Sequence, residues 1–159
     1  MAKLAIHGGE RLIKPGFIKP WPPIDDIDKN LVMDALTKQH NFAYGPDCGK
    51  LQEEYAAWNG NKYAVVTNSG TAALHMGLFA CECGCGDEVI VTAYSWSSSA
   101  TCIMHHNCIP VFVDINFDTM NMDEDKIEAA ITPKTKAIIA VHLHGMPMNM
   151  DKVMAIARK

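Results

Sequence analysis

Short apolar runs alternate with helical patterns through the second part of the chain. Four runs have the character of buried strands: Tyr63–Thr67, Glu88–Thr92, Pro110–Asp114 and Ala137–Val141. Helical patterns separate and follow them: Ala72–Ala80, Trp96–His105, Asp123–Ala130 and a segment that begins at Asn149. Short apolar strands that alternate with helices are typical of a parallel sheet covered on both faces. We therefore predict an α/β fold of three αβα layers, with about four strands of a mainly parallel sheet.

The first 60 residues follow a different pattern, without strand-like runs. Prolines concentrate before residue 24, and proline donates no backbone hydrogen bond, so this stretch is predicted to be an extended arm. Two amphipathic helices follow, one capped by Asp25 or Asp26 and one that ends near Gly60. The Gly- and Pro-rich segment Asn41–Gly49 between them predicts a loop. We divide the chain into an arm with two helices, residues 1–60, and the first part of a sheet domain, residues 61–159.

Composition and charge narrow the class of protein. The chain has 159 residues, of which 48% are hydrophobic and 20% charged, as in a globular domain. Its net charge of −4, without a basic patch, argues against a nucleic-acid partner. No apolar run is long enough to cross a membrane, and the first residues do not resemble a signal peptide. Six cysteines without an export signal predict reduced thiols and a cytoplasmic location.

The turn after the first predicted strand contains the best candidate site. Asn68 or Ser69 can cap the following helix by accepting from its first free N–H groups. Those N–H groups and the positive end of the helix dipole also suit an anion such as phosphate. Gly70 lets an oxygen approach the backbone closely, and Thr71 adds a hydroxyl donor. Capping and phosphate binding both explain these residue types, and both interpretations stay open.

Ligands of a parallel sheet gather at the carboxyl ends of its strands, so the residues that follow each strand are candidates. Trp96 lies among small side chains and either stacks on a flat aromatic ligand or fills the gap between helix and sheet. Asp114 either binds a ligand or caps a turn. His142 and His144 are expected on the same side of the last strand.

Metal and nucleotide sites fit less well. The cluster Cys81–Cys85 lacks the paired spacing of a structural zinc site, and His142 with His144 lacks a third ligand. The turn matches neither G-x-G-x-x-G nor a P-loop. The second strand ends in Thr92, where a dinucleotide fold carries an acidic residue for the ribose. One phosphate, one flat ring and a parallel sheet suit pyridoxal phosphate.

Several blocks of the sequence also resemble, in order and spacing, the DegT/StrS family of fold-type-I, pyridoxal-phosphate-dependent sugar aminotransferases. The resemblance covers essentially the whole chain. The blocks that carry it are Gly8–Glu10, Trp21–Pro22, Tyr44–Pro46, Asn68–His75, Gly86–Val91, Pro110–Asp114, Ile131–Ile139, Val141–Pro147 and Met150–Asp151.

The resemblance implies roles for particular residues. Thr71 and Ala72, in the turn with Ser69 and Gly70, would hold the cofactor phosphate, and Trp96 would stack on the pyridine ring. The loop that contains Tyr44 and Gly45 would line a substrate site formed between two subunits of a homodimer. The implied reaction moves an amino group, from glutamate, to a keto-sugar that is often linked to a nucleotide.

Members of the family are much longer than this chain. The aspartate that pairs with the pyridine nitrogen and the lysine that binds the cofactor covalently are expected beyond Lys159, so the chain by itself is predicted to be inactive. A non-catalytic binding or regulatory protein with the same fold is the alternative, and a dinucleotide-binding domain is disfavoured. In the resembled fold Glu88–Thr92 lies between the two later strands, and Tyr63–Thr67 pairs with none of the three.

Overall fold

A computed structural model describes residues 3–38 and 45–159. The chain divides into two compact units, residues 1–64 and residues 65–159. The first unit contains two helices, α1 (Asp26–Lys38) and α2 (Pro46–Asn59). The Asp25 carboxylate accepts hydrogen bonds from the Ile27 and Asp28 N–H groups and so caps α1. Gly60 ends α2 in the left-handed conformation, with φ of 72°, which glycine adopts without steric cost.

The second unit alternates helices and strands. Its elements are α3 (Gly70–Ala80), β1 (Glu88–Thr92), α4 (Ser98–His105), β2 (Ile109–Val113), α5 (Glu124–Ile127), β3 (Thr135–Ile139) and α6 (Met150–Ala157). A 3-10 turn, Glu128–Ala130, continues α5, and another, Leu143–Gly145, follows β3. No helix in the described ranges is long and apolar enough to span a membrane.

The three strands form a parallel sheet in the order β2-β1-β3. β1 lies in the centre, with Thr92 opposite Val113 on one side and Val91 opposite Ile139 on the other. This order confirms the prediction that Glu88–Thr92 lies between the two later strands. Both pairings are parallel, so the carboxyl ends of all three strands share one edge of the sheet.

Side-chain alternation along β1 separates two apolar layers. Val89 and Val91 face a cluster with α3 and α4, which includes Leu78 and Ile103. Ile90 faces the opposite cluster, which contains residues of α5 and α6. All three β1 residues are fully buried, because helices cover both faces of the central strand. The predicted three-layer αβα arrangement is confirmed.

Tyr63–Thr67 pairs with none of the three strands, as the resembled fold predicts, but its prediction as a strand is wrong. The structure assigns no strand to these residues, and the sheet of the described part has three strands instead of about four. A strand exists only through hydrogen bonds to a neighbouring strand, and β1 already has a neighbour on each side. The apolar pattern reports a propensity to be buried, and does not report whether the segment pairs with another strand.

Smaller differences concern the ends of elements. α4 begins at Ser98 instead of Trp96, so Trp96 lies in the loop before the helix. β3 comprises Thr135–Ile139 instead of Ala137–Val141. The prediction that His142 and His144 share one side of that strand is therefore wrong, because both lie beyond it, where the regular alternation of a strand no longer applies.

Candidate phosphate-binding site

Ser69 is the N-cap of α3. Its hydroxyl oxygen accepts a hydrogen bond from the Ala72 N–H at 3.2 Å, and its carbonyl oxygen accepts from the Ala73 N–H at 3.1 Å. The Thr67 hydroxyl donates to the same Ser69 carbonyl oxygen at 2.9 Å and stabilises the turn before α3. Of the two capping residues considered from the sequence, Ser69 fills the role.

Capping leaves part of the helix terminus available to a ligand. Within the described part of the chain, the N–H groups of Gly70 and Thr71 have no hydrogen-bond acceptor, as expected for the first residues of a helix. A Cβ atom built on Gly70 would meet no atom within 4 Å, so the backbone there faces open space. The Ala72 N–H is already shared with Ser69. The geometry suits an anionic oxygen at Gly70 and Thr71, and fits the phosphate of pyridoxal phosphate.

Trp96 lies at the same edge of the sheet as this turn. It follows β1 at its carboxyl end, and its side chain is 79% exposed. α3 packs through Leu74 and Leu78 on the β1 face, and its last residues lead into the amino end of β1. The helix therefore runs opposite to the strand and begins at the carboxyl edge. The exposure of Trp96 rules out the packing interpretation within this unit and leaves a ring face open to a ligand.

Hydrogen bonds hold the loop that carries Trp96. The hydroxyl groups of Ser95 and Ser99 lie 2.9 Å apart, and the Ser99 N–H donates to the Trp96 carbonyl oxygen at 3.0 Å. Earlier in the loop, the Tyr94 N–H donates to the hydroxyl of the buried Thr92 at 3.3 Å. The tryptophan is therefore an exposed ring on a backbone that is fixed on both sides.

Asp114 has a structural role. Its carboxylate accepts from the Ile115 N–H at 2.8 Å, and the Lys126 ammonium lies 3.6 Å away. Its carbonyl oxygen accepts from the Asp123 N–H at 2.9 Å. These contacts support the turn-capping interpretation that the sequence left open.

The loop after β3 depends on a residue that the sequence did not nominate. Asn121, 2% exposed, donates through Nδ2 to the Met146 carbonyl oxygen and accepts through Oδ1 from the Leu143 N–H, both at 2.9 Å. His142 closes the loop, because its Nδ1 accepts from the Met148 N–H at 3.2 Å. An asparagine in a turn-rich stretch looks like any other turn residue, so nothing local indicates partners more than 20 positions away.

The thiol cluster divides by exposure. In the cluster Cys81–Cys85, Cys83 is buried, whereas Cys81 and Cys85 are exposed. Cys108, which precedes β2, is also buried. Burial raises the pKa of the Cys83 and Cys108 thiols, and that of the buried Cys102 in α4. In the described ranges, no three His, Cys, Asp or Glu side chains are arranged to hold a metal ion.

A pair of histidines links α3 to the residue that follows α4. His75 Nε2 lies 2.9 Å from His106 Nδ1, and His106 Nε2 donates to the Cys83 carbonyl oxygen at 2.7 Å. With both rings neutral, His106 therefore carries its proton on Nε2, and His75 donates to it. The spacing of the two residues in the sequence did not suggest this contact.

The predicted substrate loop is described only in part. Tyr44 lies outside the described residues. Gly45 is buried, precedes α2 as its N-cap, and accepts through its carbonyl oxygen from the Cys48 N–H at 3.1 Å. Its role beside a substrate stays a prediction.

Comparison with known proteins decides the family. The model of the DegT/DnrJ/EryC1/StrS aminotransferase family matches residues 23–159. The chain belongs to this family. The spore coat polysaccharide biosynthesis protein SpsC of Bacillus subtilis is 46% identical over 135 residues, which cover 85% of this chain and 33% of that protein.

Solved structures of similar aminotransferases agree with the fold. An aminotransferase from Psychrobacter cryohalolentis superposes with a TM-score of 0.81 at 38% identity, over 87% of this chain and 35% of that one. The PLP-form of the putative sugar aminotransferase Spr1654 from Streptococcus pneumoniae gives 0.79 at 38% identity, over 85% and 34%. The chain therefore spans about a third of the length of these relatives.

Proposed function

We propose that this chain supplies the phosphate and ring contacts for pyridoxal phosphate in an aminotransferase of the DegT family. The observation that carries the proposal is the pair of free N–H groups at Gly70 and Thr71, at the same sheet edge as the exposed Trp96. A helix terminus binds the phosphate, and an aromatic face receives the pyridine ring. The PLP-form of the similar Spr1654 protein supports this choice of ligand.

Each residue has a separate task in this proposal. Gly70 and Thr71 donate backbone hydrogen bonds to phosphate oxygens, and the Thr71 hydroxyl adds another donor. Ser69 caps the first turn of α3 through the Ala72 N–H, and this leaves the Gly70 and Thr71 donors to the ligand. Trp96 covers one face of the ring, limits its tilt and excludes water from that side. Bound in this way, pyridoxal phosphate supplies the electron sink for amino-group transfer.

The substrates proposed for the complete enzyme are an amino donor, glutamate, and a keto-sugar that is often attached to a nucleotide. The enzyme is proposed to be a cytoplasmic homodimer, with Tyr44 and Gly45 at the substrate site. Family membership and the polysaccharide-related name of SpsC support a sugar acceptor. The enzyme is also proposed to bind neither nucleic acid nor a membrane, and the net charge of −4 supports the first of these proposals.

Titration of the 159-residue chain with pyridoxal phosphate, followed by tryptophan fluorescence, tests the proposal. We expect saturable quenching that inorganic phosphate reverses, and weaker binding of pyridoxal, which lacks the phosphate. Thr71→Val should weaken binding about ten- to hundredfold, because a hydrogen bond to a charged group contributes about 1.5–3 kcal/mol. Thr101→Val, a matched change within α4, should leave binding unchanged. Equal affinities for pyridoxal and pyridoxal phosphate would contradict the phosphate assignment.

A second experiment tests the expectation that this chain by itself does not catalyse transamination. After incubation with pyridoxal phosphate and borohydride, peptide mapping should find no single lysine modified in stoichiometric amount. Stoichiometric labelling at one position would identify a reactive lysine within the chain. A non-catalytic binding or regulatory role is the second candidate, and is favoured if full-length versions also lack transaminase activity while they bind the cofactor.

A further inference from the structure

We propose that the hydroxyl pair Ser95–Ser99 is a positioning device for Trp96, and that it sets how tightly the carboxyl edge holds a flat aromatic ligand. The inference rests on the proposed function for its ligand. Its structural part, the ordering of the tryptophan ring, concerns the chain without any ligand.

The two serines flank Trp96 in the sequence. Ser95 directly precedes it, and Ser99 lies in the first turn of α4, 6% exposed. Their hydroxyl groups lie 2.9 Å apart, and the Ser99 N–H also binds the Trp96 carbonyl oxygen. Ser99 therefore binds the chain on both sides of the Trp96 side chain, at the Trp96 carbonyl oxygen through its backbone and at the Ser95 hydroxyl through its side chain.

Trp96 itself has few contacts that could fix its direction. With 79% of the side chain exposed, packing does not hold the ring, and its orientation depends on the backbone that carries it. A ligand that stacks on a mobile ring must first order it, which costs conformational entropy. A fixed loop removes part of that cost before the ligand arrives.

The neighbouring serine provides a matched control. Ser97 is exposed and occupies the N-cap position of α4, but its side chain makes no capping hydrogen bond. Ser97→Ala therefore removes a hydroxyl one position from Trp96 without touching the Ser95–Ser99 pair. A general effect of serine replacement on the loop would appear in this variant as well.

The experiment uses the whole chain with Trp96 as the only tryptophan, through Trp21→Phe and Trp58→Phe in the first unit. Fluorescence anisotropy without ligand reports the ordering of the ring. Titration with pyridoxal phosphate then reports affinity. The variants are Ser95→Ala, Ser99→Ala, the control Ser97→Ala and the conservative Ser99→Thr, which keeps a hydroxyl.

We expect Ser95→Ala and Ser99→Ala to lower the anisotropy and to weaken binding about two- to tenfold, the range of a lost aromatic stack. Ser97→Ala should change neither quantity, and Ser99→Thr should retain most of both. Because Ser95 is only half-buried, Ser95→Ala decides the matter if Ser99→Ala fails to fold.

Two failures are distinguishable. Unchanged anisotropy in Ser95→Ala and Ser99→Ala overturns the positioning role, whatever the affinities. If the parent chain does not bind pyridoxal phosphate, the proposed function fails, and with it the link from ring order to affinity. Lowered anisotropy with unchanged affinity also overturns the inference. It would mean that the order of the ring in the parent chain does not contribute to ligand binding.

Discussion

The Ser69 side chain caps α3 and leaves neighbouring backbone N–H groups available to the proposed ligand. Its hydroxyl oxygen takes the Ala72 N–H, whereas the donors just before that group, on Gly70 and Thr71, stay available. The capping and phosphate interpretations are therefore compatible, because they use different donors. Substitutions at this position can separate them.

Two replacements of Ser69 should have opposite effects. Ser69→Ala removes the cap and should lower the free energy of unfolding by about 1 kcal/mol, but it frees the Ala72 N–H and should preserve phosphate binding. Ser69→Asp restores a cap, so stability should be retained, but its negative charge should abolish phosphate binding. Urea denaturation and phosphate titration of both variants would measure this. Loss of phosphate binding in Ser69→Ala together with retention in Ser69→Asp would contradict the assignment.

The buried thiols predict a loss of stability at alkaline pH. Burial raises the pKa of Cys83, Cys102 and Cys108 in the folded chain, so folding favours the protonated thiol. This contribution is fully present below the pKa of an unfolded thiol, about 8.5, and is lost as pH rises through the higher folded values. The urea-derived free energy of unfolding should therefore fall between neutral pH and about pH 10.

Cys102→Ala should reduce that alkaline fall, because Cys102 is fully buried and ionises only at a cost. Cys48→Ala is the matched control, since Cys48 lies in α2 and is not one of the buried thiols, and it should retain the stability profile of the parent chain. Equal profiles for the parent and Cys102→Ala would contradict the role of its burial.

At the scale of elements, the loop after β3 is held by hydrogen bonds from Asn121, which lies between β2 and α5. Asn121 spans this loop with two hydrogen bonds from a buried position. Asn121→Ala should lower the free energy of unfolding by about 1–3 kcal/mol, because the Leu143 N–H and the Met146 carbonyl lose their partners. The exchange of the Leu143 amide hydrogen should accelerate.

Asn121→Asp gives a finer test of the same contact. The carboxylate can still accept from Leu143, but it cannot donate to Met146, so Leu143 protection should be retained more fully than in Asn121→Ala. Asn30→Ala, at an exposed position in α1, should leave Leu143 exchange unchanged. Equal exchange in the parent and Asn121→Ala would show that the loop is held by other contacts.

The elements themselves were largely predictable from the sequence. The strand Glu88–Thr92 was predicted with its observed ends, and the last helix was predicted to begin at Asn149, which is its N-cap. Both depend on local patterns of apolar residues and capping side chains. Tyr63–Thr67 failed because a strand also requires a neighbour, and Asn121 was missed because its partners are distant in sequence.

The candidate site was predictable to a similar degree. Ser69 and Trp96 were identified from the types of residue that surround them, and the structure places both at one sheet edge. The Ser95–Ser99 contact and the histidine pair depend on three-dimensional packing, for which neither residue type nor spacing is a guide. The sequence therefore predicts which residue types form the site, but not the tertiary contacts that hold those residues in place.

At the scale of the whole molecule, the sheet of the described residues has open strand edges at β2 and β3. Beside β3, a groove of about 580 Å³ is lined largely by apolar side chains, among them Ile138 and Val153. Along β2, Phe112 is 58% exposed. Strand edges with exposed apolar side chains favour pairing with another chain.

We therefore expect the 159-residue chain to self-associate with rising concentration in sedimentation velocity. Phe112→Lys should reduce the association, because a charged side chain on an edge strand opposes pairing. Phe117→Lys is the matched control, since Phe117 is 84% exposed but lies in the turn after β2. An equal effect of both substitutions would assign the association to general surface hydrophobicity instead of the strand edge.

The strand order has a consequence for the way the chain is made. β1 is the first of the three strands to be synthesised, and it is also the central one. β2 and then β3 emerge later, and each can pair with a β1 that is already available. The sheet can therefore assemble outward from β1 in the order of translation. Few residues separate β1 from β2 in the sequence, and a short separation favours rapid pairing during translation.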